Sequence, residues 1–519
     1  MKFPDRRPAT TGGPAPPQVS AFRAARLRGA NAAAVSASLI CIAALATVHG
    51  SPSTPERKPA GLAATETAIT PVLPSDPGVP GFHFPESEAT LLGWNHVLGT
   101  GAPADAAAAF EALQGHGWGL WTALTAPTQQ SFGGERLRVF ETWSTPDDLV
   151  PPVTTASGVP GAASSAAHRR SIPERLHQFH DGGARGTRST PRSVESIDPV
   201  LGSVKFDPVA SEHVLSQGLL HKATLDRLLS GGARSIPPFP VKALVVKPVF
   251  RVLSRVTAVE GRYVSLPAWS GPPANAQGWD PTHWPGCVWV DLLGGGGGRG
   301  SIDPAAAIDG SSRTDATTYP VSRFIHYHLL ADEAAAINQA QPSTQAQAGD
   351  AAVLVAMHVA GREISRWTWQ TYWWTPDPDH PPSPSSNAVA ALRPSALRGA
   401  ARNYAMALAY GMATPDPSET GGSNAGLAVY NYNPWLEAHF SPTDLPDSQP
   451  GYGPDGQPAA NNTGVQSNCM SCHTQANYNP AHVASAPAYT GARYVDPADA
   501  AFAGTLQVDF LWSLPAAAK

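Results

Sequence analysis

The middle of the chain reads Ala351-Ala-Val-Leu-Val-Ala-Met-His-Val359 and, shortly afterwards, Trp367-Thr-Trp-Gln-Thr-Tyr-Trp-Trp374. The first stretch is an apolar run of strand length, which is typical of a fully buried strand. The second is rich in aromatic residues, which favour strands, and the proline-rich run 376–384 closes it. Together they predict a sheet with a buried, aromatic core.

Other segments predict that this sheet belongs to an α+β fold with a mixed or antiparallel β-rich core and peripheral helices. Few segments alternate strand and helix as a doubly wound parallel sheet requires. Strands are expected at 137–143, 241–247, 250–256 and 287–293, and helices at about 104–113, 331–341 and 397–412.

The N-terminus has the layout of an export signal. The charged residues within 1–29 are all basic apart from one aspartate, and residues 30–48 carry no charged side chain. Such a run is just long enough to span a bilayer, with its basic flank on the cytoplasmic side. We therefore predict a periplasmic protein whose leader is either a cleaved signal peptide or an inner-membrane anchor. The net charge of −5 indicates no basic surface for nucleic acid.

Near the C-terminus the chain reads Cys469-Met-Ser-Cys-His473, which is the C-x-x-C-H pattern of covalent c-type haem attachment. Residues three and four apart share one face of a helix, so both thiols and the imidazole can meet one flat macrocycle. We expect Cys469 and Cys472 to bond the vinyl groups of one haem c, and His473 to be the proximal ligand of its iron.

Two other chemistries fit this cysteine pair less well. A closed zinc site needs a second pair of ligands at structural spacing, and the sequence has no second C-x-x-C. A thioredoxin-type dithiol begins a helix after a strand, whereas this motif follows a long polar loop. The remaining cysteines are Cys41, in the leader, and Cys287.

The motif does not define the residue on the other side of the iron. Small cytochromes c use a methionine downstream of the motif, but the 46 residues after His473 contain none. The open candidates are His358, in the apolar strand, and Met406 or Met412, in the expected helix 397–412. Methionine ligation raises the haem potential, while an open site permits substrate chemistry. Candidates for pairing with haem propionates are Arg323, Arg362 and Arg366.

Several segments together resemble a family of large monohaem bacterial "cytochrome c family" proteins of uncharacterised function. These segments are 117–124 (GWGLWTAL), 139–143 (VFETW), the stretch from Met357-His358 to Tyr372, and 467–473 (SNCMSCH). The resemblance implies a periplasmic haem protein and marks His358 as a functional residue. The chain departs from the family pattern at Trp373-Trp374, where Glu-His is usual.

These observations predict a domain organisation and a function. We expect a signal peptide or signal-anchor (1–50), a Pro-rich disordered linker (51–80), an α+β domain (81–465) with a disordered insertion at about 151–198, and a helical haem-attachment segment (466–519) packed on the main domain.

The function that this organisation favours is an exported monohaem c-type cytochrome that exchanges single electrons with a redox partner protein or a small-molecule donor or acceptor. The alternative is a haem-dependent oxidoreductase, peroxidase- or oxygenase-like, with an open or weakly ligated iron. A third hypothesis is a binding or sensor module in which the haem is structural. The sequence indicates no catalytic residue.

Overall fold

The structure is a computed structural model that describes residues 68–150, 170, 174–175, 200–273, 281–307, 309–417, 426–437, 468–481 and 494–519. These residues belong to one unit, Ala64–Lys519. The expected leader (1–50) and nearly all of the expected insertion (151–198) lie outside the described residues. Among the helices that are described, none is both long and apolar enough to cross a membrane.

Helices and strands are spread along the whole described chain. The helices are α1 (Glu88–Thr100), α2 (Pro103–Leu124), α3 (Pro146–Leu149), α4 (Pro208–Gln217), α5 (Lys222–Ser230), α6 (Ala331–Ala340), α7 (Asn387–Ala391), and short helices at Pro434–Glu437, Cys469–His473 and Ser513–Ala517. The strands are β1 (Pro127–Phe132), β2 (Glu135–Arg138), β3 (Glu174–Arg175), β4 (Leu201–Gly202), β5 (Lys205–Phe206), β6 (Leu244–Leu253), β7 (Tyr263–Pro267), β8 (Cys287–Asp291), β9 (Thr318–Pro320), β10 (His326–His328), β11 (Ala351–Gly361), β12 (Thr368–Trp374), β13 (Tyr404–Ala409), β14 (Ala413–Thr414), β15 (Leu427–Ala428), β16 (Asn477–Tyr478) and β17 (Leu506–Gln507). The helix Cys469–His473 is called the motif helix below.

An eight-stranded sheet forms the centre of this unit. Its strands follow the order β13-β12-β11-β6-β4-β3, with β10 also paired to β11 and β5 to β6. All of these pairs are antiparallel. The apolar and aromatic stretches form the neighbouring strands β11 and β12, which are buried almost throughout. The predicted α+β fold with an antiparallel, β-rich core is confirmed.

The strand register separates the two faces of this sheet. Directly paired residues share a face, and successive residues along a strand alternate between faces. One row of partners consists of Lys247, His358, Thr371 and Ala407, and the next row, on the other face, of Pro248, Met357, Tyr372 and Met406. Helix α2 covers the second face, where Trp121 stacks on the ring of Tyr372 with centroids 4.3 Å apart. The first face is covered by Pro434–Glu437 and by the segment that contains the motif helix.

Three expected elements differ from the structure. The expected helix at 397–412 is wrong, because Tyr404–Ala409 forms strand β13. Alanine, leucine and methionine favour helices in isolation, but pairing with β12 and burial outweigh that preference here. The expected strand at 137–143 is also wrong over most of its length, since a 3₁₀ helix spans Val139–Thr142. The two strands expected within 241–256 are one strand, β6.

The last part of the expected Pro-rich linker packs on the domain. Residues 68–80 have no regular secondary structure, but Ile69 and Val79 are buried. The side chain of Gln130 bonds both the amide N–H and the carbonyl of Thr70, each at 2.7 Å. Apolar side chains and hydrogen bonds from a side chain to the backbone therefore hold these residues on the domain, and residues 51–67 lie outside the described residues.

Candidate cofactor site

The motif helix is held in place by the residue before it, Asn468. The Oδ1 atom of this fully buried side chain accepts hydrogen bonds from the backbone N–H of Met470 (2.9 Å) and Ser471 (3.3 Å), which caps the helix N-terminus. Its Nδ2 donates to the carbonyls of Gly411 (3.0 Å) and Val429 (2.6 Å). One side chain therefore both starts the helix and ties it to two neighbouring segments.

The motif helix has one buried side and one open side. The buried side consists of Met470, Ser471 and Thr474, and the partly exposed side of Cys469, Cys472 and His473. Both thiols are free rather than joined in a disulfide. The three residues predicted to attach and ligate a haem thus lie together on the side of the helix that is not filled by the core.

His473 is held in the tautomer that an iron ligand needs. Its Nδ1 lies 2.7 Å from the carbonyl oxygen of Phe510. Because a carbonyl only accepts, Nδ1 carries the proton and the lone pair of Nε2 stays available. Burial lowers the pKa of His473 to about 3, so the imidazole is neutral at ordinary pH. The indole of Trp369 covers the ring, with centroids 4.1 Å apart.

Three titratable side chains lie together beside the motif helix: Lys247 and His358 on the sheet face, and Glu437 in the short helix Pro434–Glu437. The Nε2 atom of His358 lies 2.8 Å from Oε1 of Glu437, and each of these side chains is 15% exposed. Glu437 also accepts a hydrogen bond from the backbone N–H of Asn433. Lys247 is the cross-strand partner of His358, and its ammonium group interacts electrostatically with Glu437 and Cys472. The residues of this cluster therefore face the open side of the motif helix.

Three side chains between the sheet and the motif helix are partly exposed to solvent but closely surrounded by protein. Lys247, Cys472 and His473 are partly exposed, yet burial is the main cause that lowers the pKa of the lysine and the histidine and raises that of the cysteine to about 12. These three side chains therefore lie in a partly desolvated environment where the sheet and the motif helix meet.

Several buried polar atoms have no hydrogen-bond partner among the described residues, and two of them lie close to this place on the sheet. They are Nδ1 of His358 and Nε1 of Trp373, which lies two residues along β12 from the cross-strand partner of His358. Buried polar atoms are nearly always paired, and a group bound here could satisfy both. A haem, with a flat apolar ring for the aromatic side chains and two propionates for Lys247, fits these residues.

The three candidates for the sixth ligand lie in different places. Met406 packs on α2, where a Cβ atom added to Gly117 would lie 2.8 Å from its sulfur. The sheet lies between Met406 and the motif helix, so this position does not support Met406 as the sixth ligand. The sulfur of Met412 accepts from the hydroxyl of Thr474 (3.8 Å), on the buried side of the helix, so this position does not support Met412 either. Only His358 lies on the side of the cysteines.

The arginines proposed as propionate partners are engaged with the protein instead. Arg323 donates to Asn403 Oδ1 (3.2 Å), Arg362 to Asp509 Oδ2 (3.2 Å), and Arg366 to Asp416. Lys247 is better placed for this role, and it was missed in the sequence. A charged residue within the apolar strand β6 was the available signal, since such a group needs a partner. Glu437 and the carbonyl of Phe510 had no comparable signal.

The geometry also bears on the two other chemistries of the cysteine pair. Among the described residues, no group of three or more His, Cys, Asp or Glu side chains is placed to hold a metal ion. A redox-active dithiol needs a thiol with a lowered pKa. Burial instead raises the pKa of Cys472 to about 12 and that of Cys469 well above its usual value.

Comparisons of the chain with family models, with curated proteins and with solved structures found no match.

Proposed function

We propose that this chain carries one haem c, bound through Cys469 and Cys472 with His473 as the proximal ligand, and that it exchanges single electrons with a redox partner protein or small molecule in the periplasm. The observation that carries the proposal is the 2.7 Å hydrogen bond from His473 Nδ1 to Phe510, which leaves Nε2 free beside two free thiols. The haem iron would supply the one-electron chemistry.

The surrounding residues would fix the haem and shield it. His473 is oriented by Phe510 and covered by Trp369, so its imidazole has one available position. Lys247 would neutralise a propionate, because its ammonium group is close enough to Cys472 to interact with it electrostatically. Rigid ligands in a partly desolvated site, together with hydrogen bonds to them, are the means by which a protein sets a haem potential.

A second candidate function, a haem-dependent oxidoreductase, is favoured by the contact between His358 and Glu437. If the carboxylate accepts the Nε2 proton (2.8 Å), the buried Nδ1 atom of His358 is left as a proton acceptor. A base oriented by a carboxylate is the arrangement that general acid–base catalysis uses. In this case the iron would be open, and His358 would move a proton of a bound substrate.

Haem attachment is tested by expressing the full chain with a c-type haem maturation system. We expect the wild type to keep haem on a denaturing gel and to show a c-type pyridine haemochrome spectrum. The double variant Cys469→Ser/Cys472→Ser should lose the covalent haem. The control Cys287→Ser should retain it, since this buried thiol lies in strand β8, outside the site. A wild-type protein without covalent haem would refute the proposal.

Absorption and electron paramagnetic resonance spectra of the resting protein distinguish the two candidate functions. Low-spin iron that responds to neither carbon monoxide nor peroxide supports electron transfer, and a change to high spin in His358→Gln would then identify the sixth ligand. High-spin iron that binds carbon monoxide readily supports the oxidoreductase. In that case His358→Gln should leave the spin state unchanged and slow the reaction with peroxide.

A further inference from the structure

We propose that Arg362 and Asp509 act as a clamp that positions the carbonyl of Phe510, and that through this carbonyl they set the reduction potential of the haem. The inference rests on the proposed function, since it concerns the ligand of that haem. Oδ2 of Asp509 accepts from Nε of Arg362 (3.2 Å) and from the backbone N–H of Phe239 (2.9 Å). Both partners lie next to strands of the central sheet, so the sheet holds the turn that contains Asp509 and Phe510.

The turn that carries Phe510 has a costly backbone conformation. Asp509 and Phe510 have φ angles of 45° and 69°, in the left-handed region that favours glycine. Such a conformation is unfavourable for residues other than glycine and persists only where its surroundings hold it. Backbone hydrogen bonds from Val508 to Ala476 (3.1 Å) and from Leu511 to Val508 (3.0 Å) flank the turn. The direction of the Phe510 carbonyl therefore depends on what supports the turn, and the clamp is one of these supports.

That direction matters because the carbonyl is the acceptor for the proximal imidazole. A strong hydrogen bond from Nδ1 makes the imidazole a better electron donor, which stabilises oxidised iron and lowers the reduction potential. A carbonyl that moves away from Nδ1 weakens the bond, so the potential rises. Arg362 and Asp509 are thus positioning residues, since they touch neither the imidazole nor the cysteines in any described contact.

Charge and positioning make opposite predictions for two substitutions. Arg362→Gln removes a positive charge, which by Coulomb's law alone lowers the potential of the haem iron. Asp509→Asn removes a negative charge, which alone raises it. If the pair acts by positioning the carbonyl, both substitutions raise the potential. The Arg362 and Asp509 side chains are 13% and 10% exposed, so water screens neither charge fully.

The experiment is a redox titration of the haem-loaded full chain. We expect Arg362→Gln and Asp509→Asn both to shift the reduction equilibrium towards the reduced form, by about tenfold, the lower end of what such supporting residues contribute at metal sites. Arg362→Lys, which keeps the charge, should give a smaller shift of the same sign.

Matched controls come from the pair Arg262 and Asp291 in the separate sheet of β7, β8 and β9, where Nη2 lies 2.7 Å from Oδ2. Arg262→Gln and Asp291→Asn should shift the reduction equilibrium far less than tenfold. Opposite shifts in the two clamp variants, or none, in a protein that has its covalent haem would overturn the clamp alone. Wild-type protein that binds no haem would overturn the proposed function as well.

Discussion

Replacing Asn468 is the sharpest test of how the motif helix is built. In Asn468→Ala the helix loses its cap, which costs about 1 kcal/mol. The carbonyls of Gly411 and Val429 also lose their partners, and leaving a buried polar group unpaired costs about 1–3 kcal/mol. The free energy of unfolding should therefore fall by about 4 kcal/mol. Asn468→Ser keeps an acceptor for the cap but cannot reach the two carbonyls, so it should lose about 3 kcal/mol.

Urea unfolding of the full chain, followed by tryptophan fluorescence, measures both losses. Asn477→Ala is a matched control, because Nδ2 of this partly exposed asparagine donates to the carbonyl of Gln475 (2.7 Å), two residues away in the sequence. It should lose less than about 1 kcal/mol, as most substitutions away from buried networks do. The reasoning fails if Asn468→Ala is as stable as the control, or if Asn468→Ser is no more stable than Asn468→Ala.

Three further predictions concern the scaffold and the sheet face. Burial lowers the pKa of Lys205 from 10.5 to about 8, so between these pH values the unfolded chain binds more protons than the folded chain. The unfolding free energy of the wild type, relative to that of Lys205→Met, should therefore rise by about 3 kcal/mol from pH 8 to pH 10.5. A difference between the two proteins that does not change with pH would contradict this. The double-mutant cycle of His358→Gln and Glu437→Gln should give a coupling of about 2 kcal/mol in urea unfolding; a coupling below about 0.5 kcal/mol would mean that the contact contributes little. Trp121→Ala removes a fully buried indole that stacks on Tyr372, so calorimetry should show a loss of about 4 kcal/mol, and Trp121→Phe should lose clearly less.

The strands of the central sheet were largely predictable, because their signals are local. An apolar run predicts strand β11 and an aromatic run predicts strand β12, and both strands are where the sequence predicts them. Strand β13 was not predictable, since its alanine, methionine and leucine residues favour a helix until β12 is present to pair with them. Local preference decides such a segment only when no partner competes.

The candidate site was likewise predictable only in part. The spacing of Cys469, Cys472 and His473 predicts a shared side of one helix, and the structure has it. The pairing of Lys247 with His358 depends on the register of β6 against β11, which includes an irregularity between Leu354 and Ala356 that no local pattern predicts. The hydrogen bond from His473 to a backbone carbonyl 37 residues further along cannot be predicted from the sequence either, since every residue has a carbonyl.

The order of these parts along the chain has a consequence for biosynthesis. Strands β6 to β13 end at Ala409, whereas the motif helix begins at Cys469 and its supporting turn lies at Phe510. A chain is made from its N-terminus, so every residue that pairs in the central sheet is synthesised before Cys469 and Cys472. If these cysteines carry the proposed haem, the strands beside it are present before its attachment site is, and their pairing should not depend on haem.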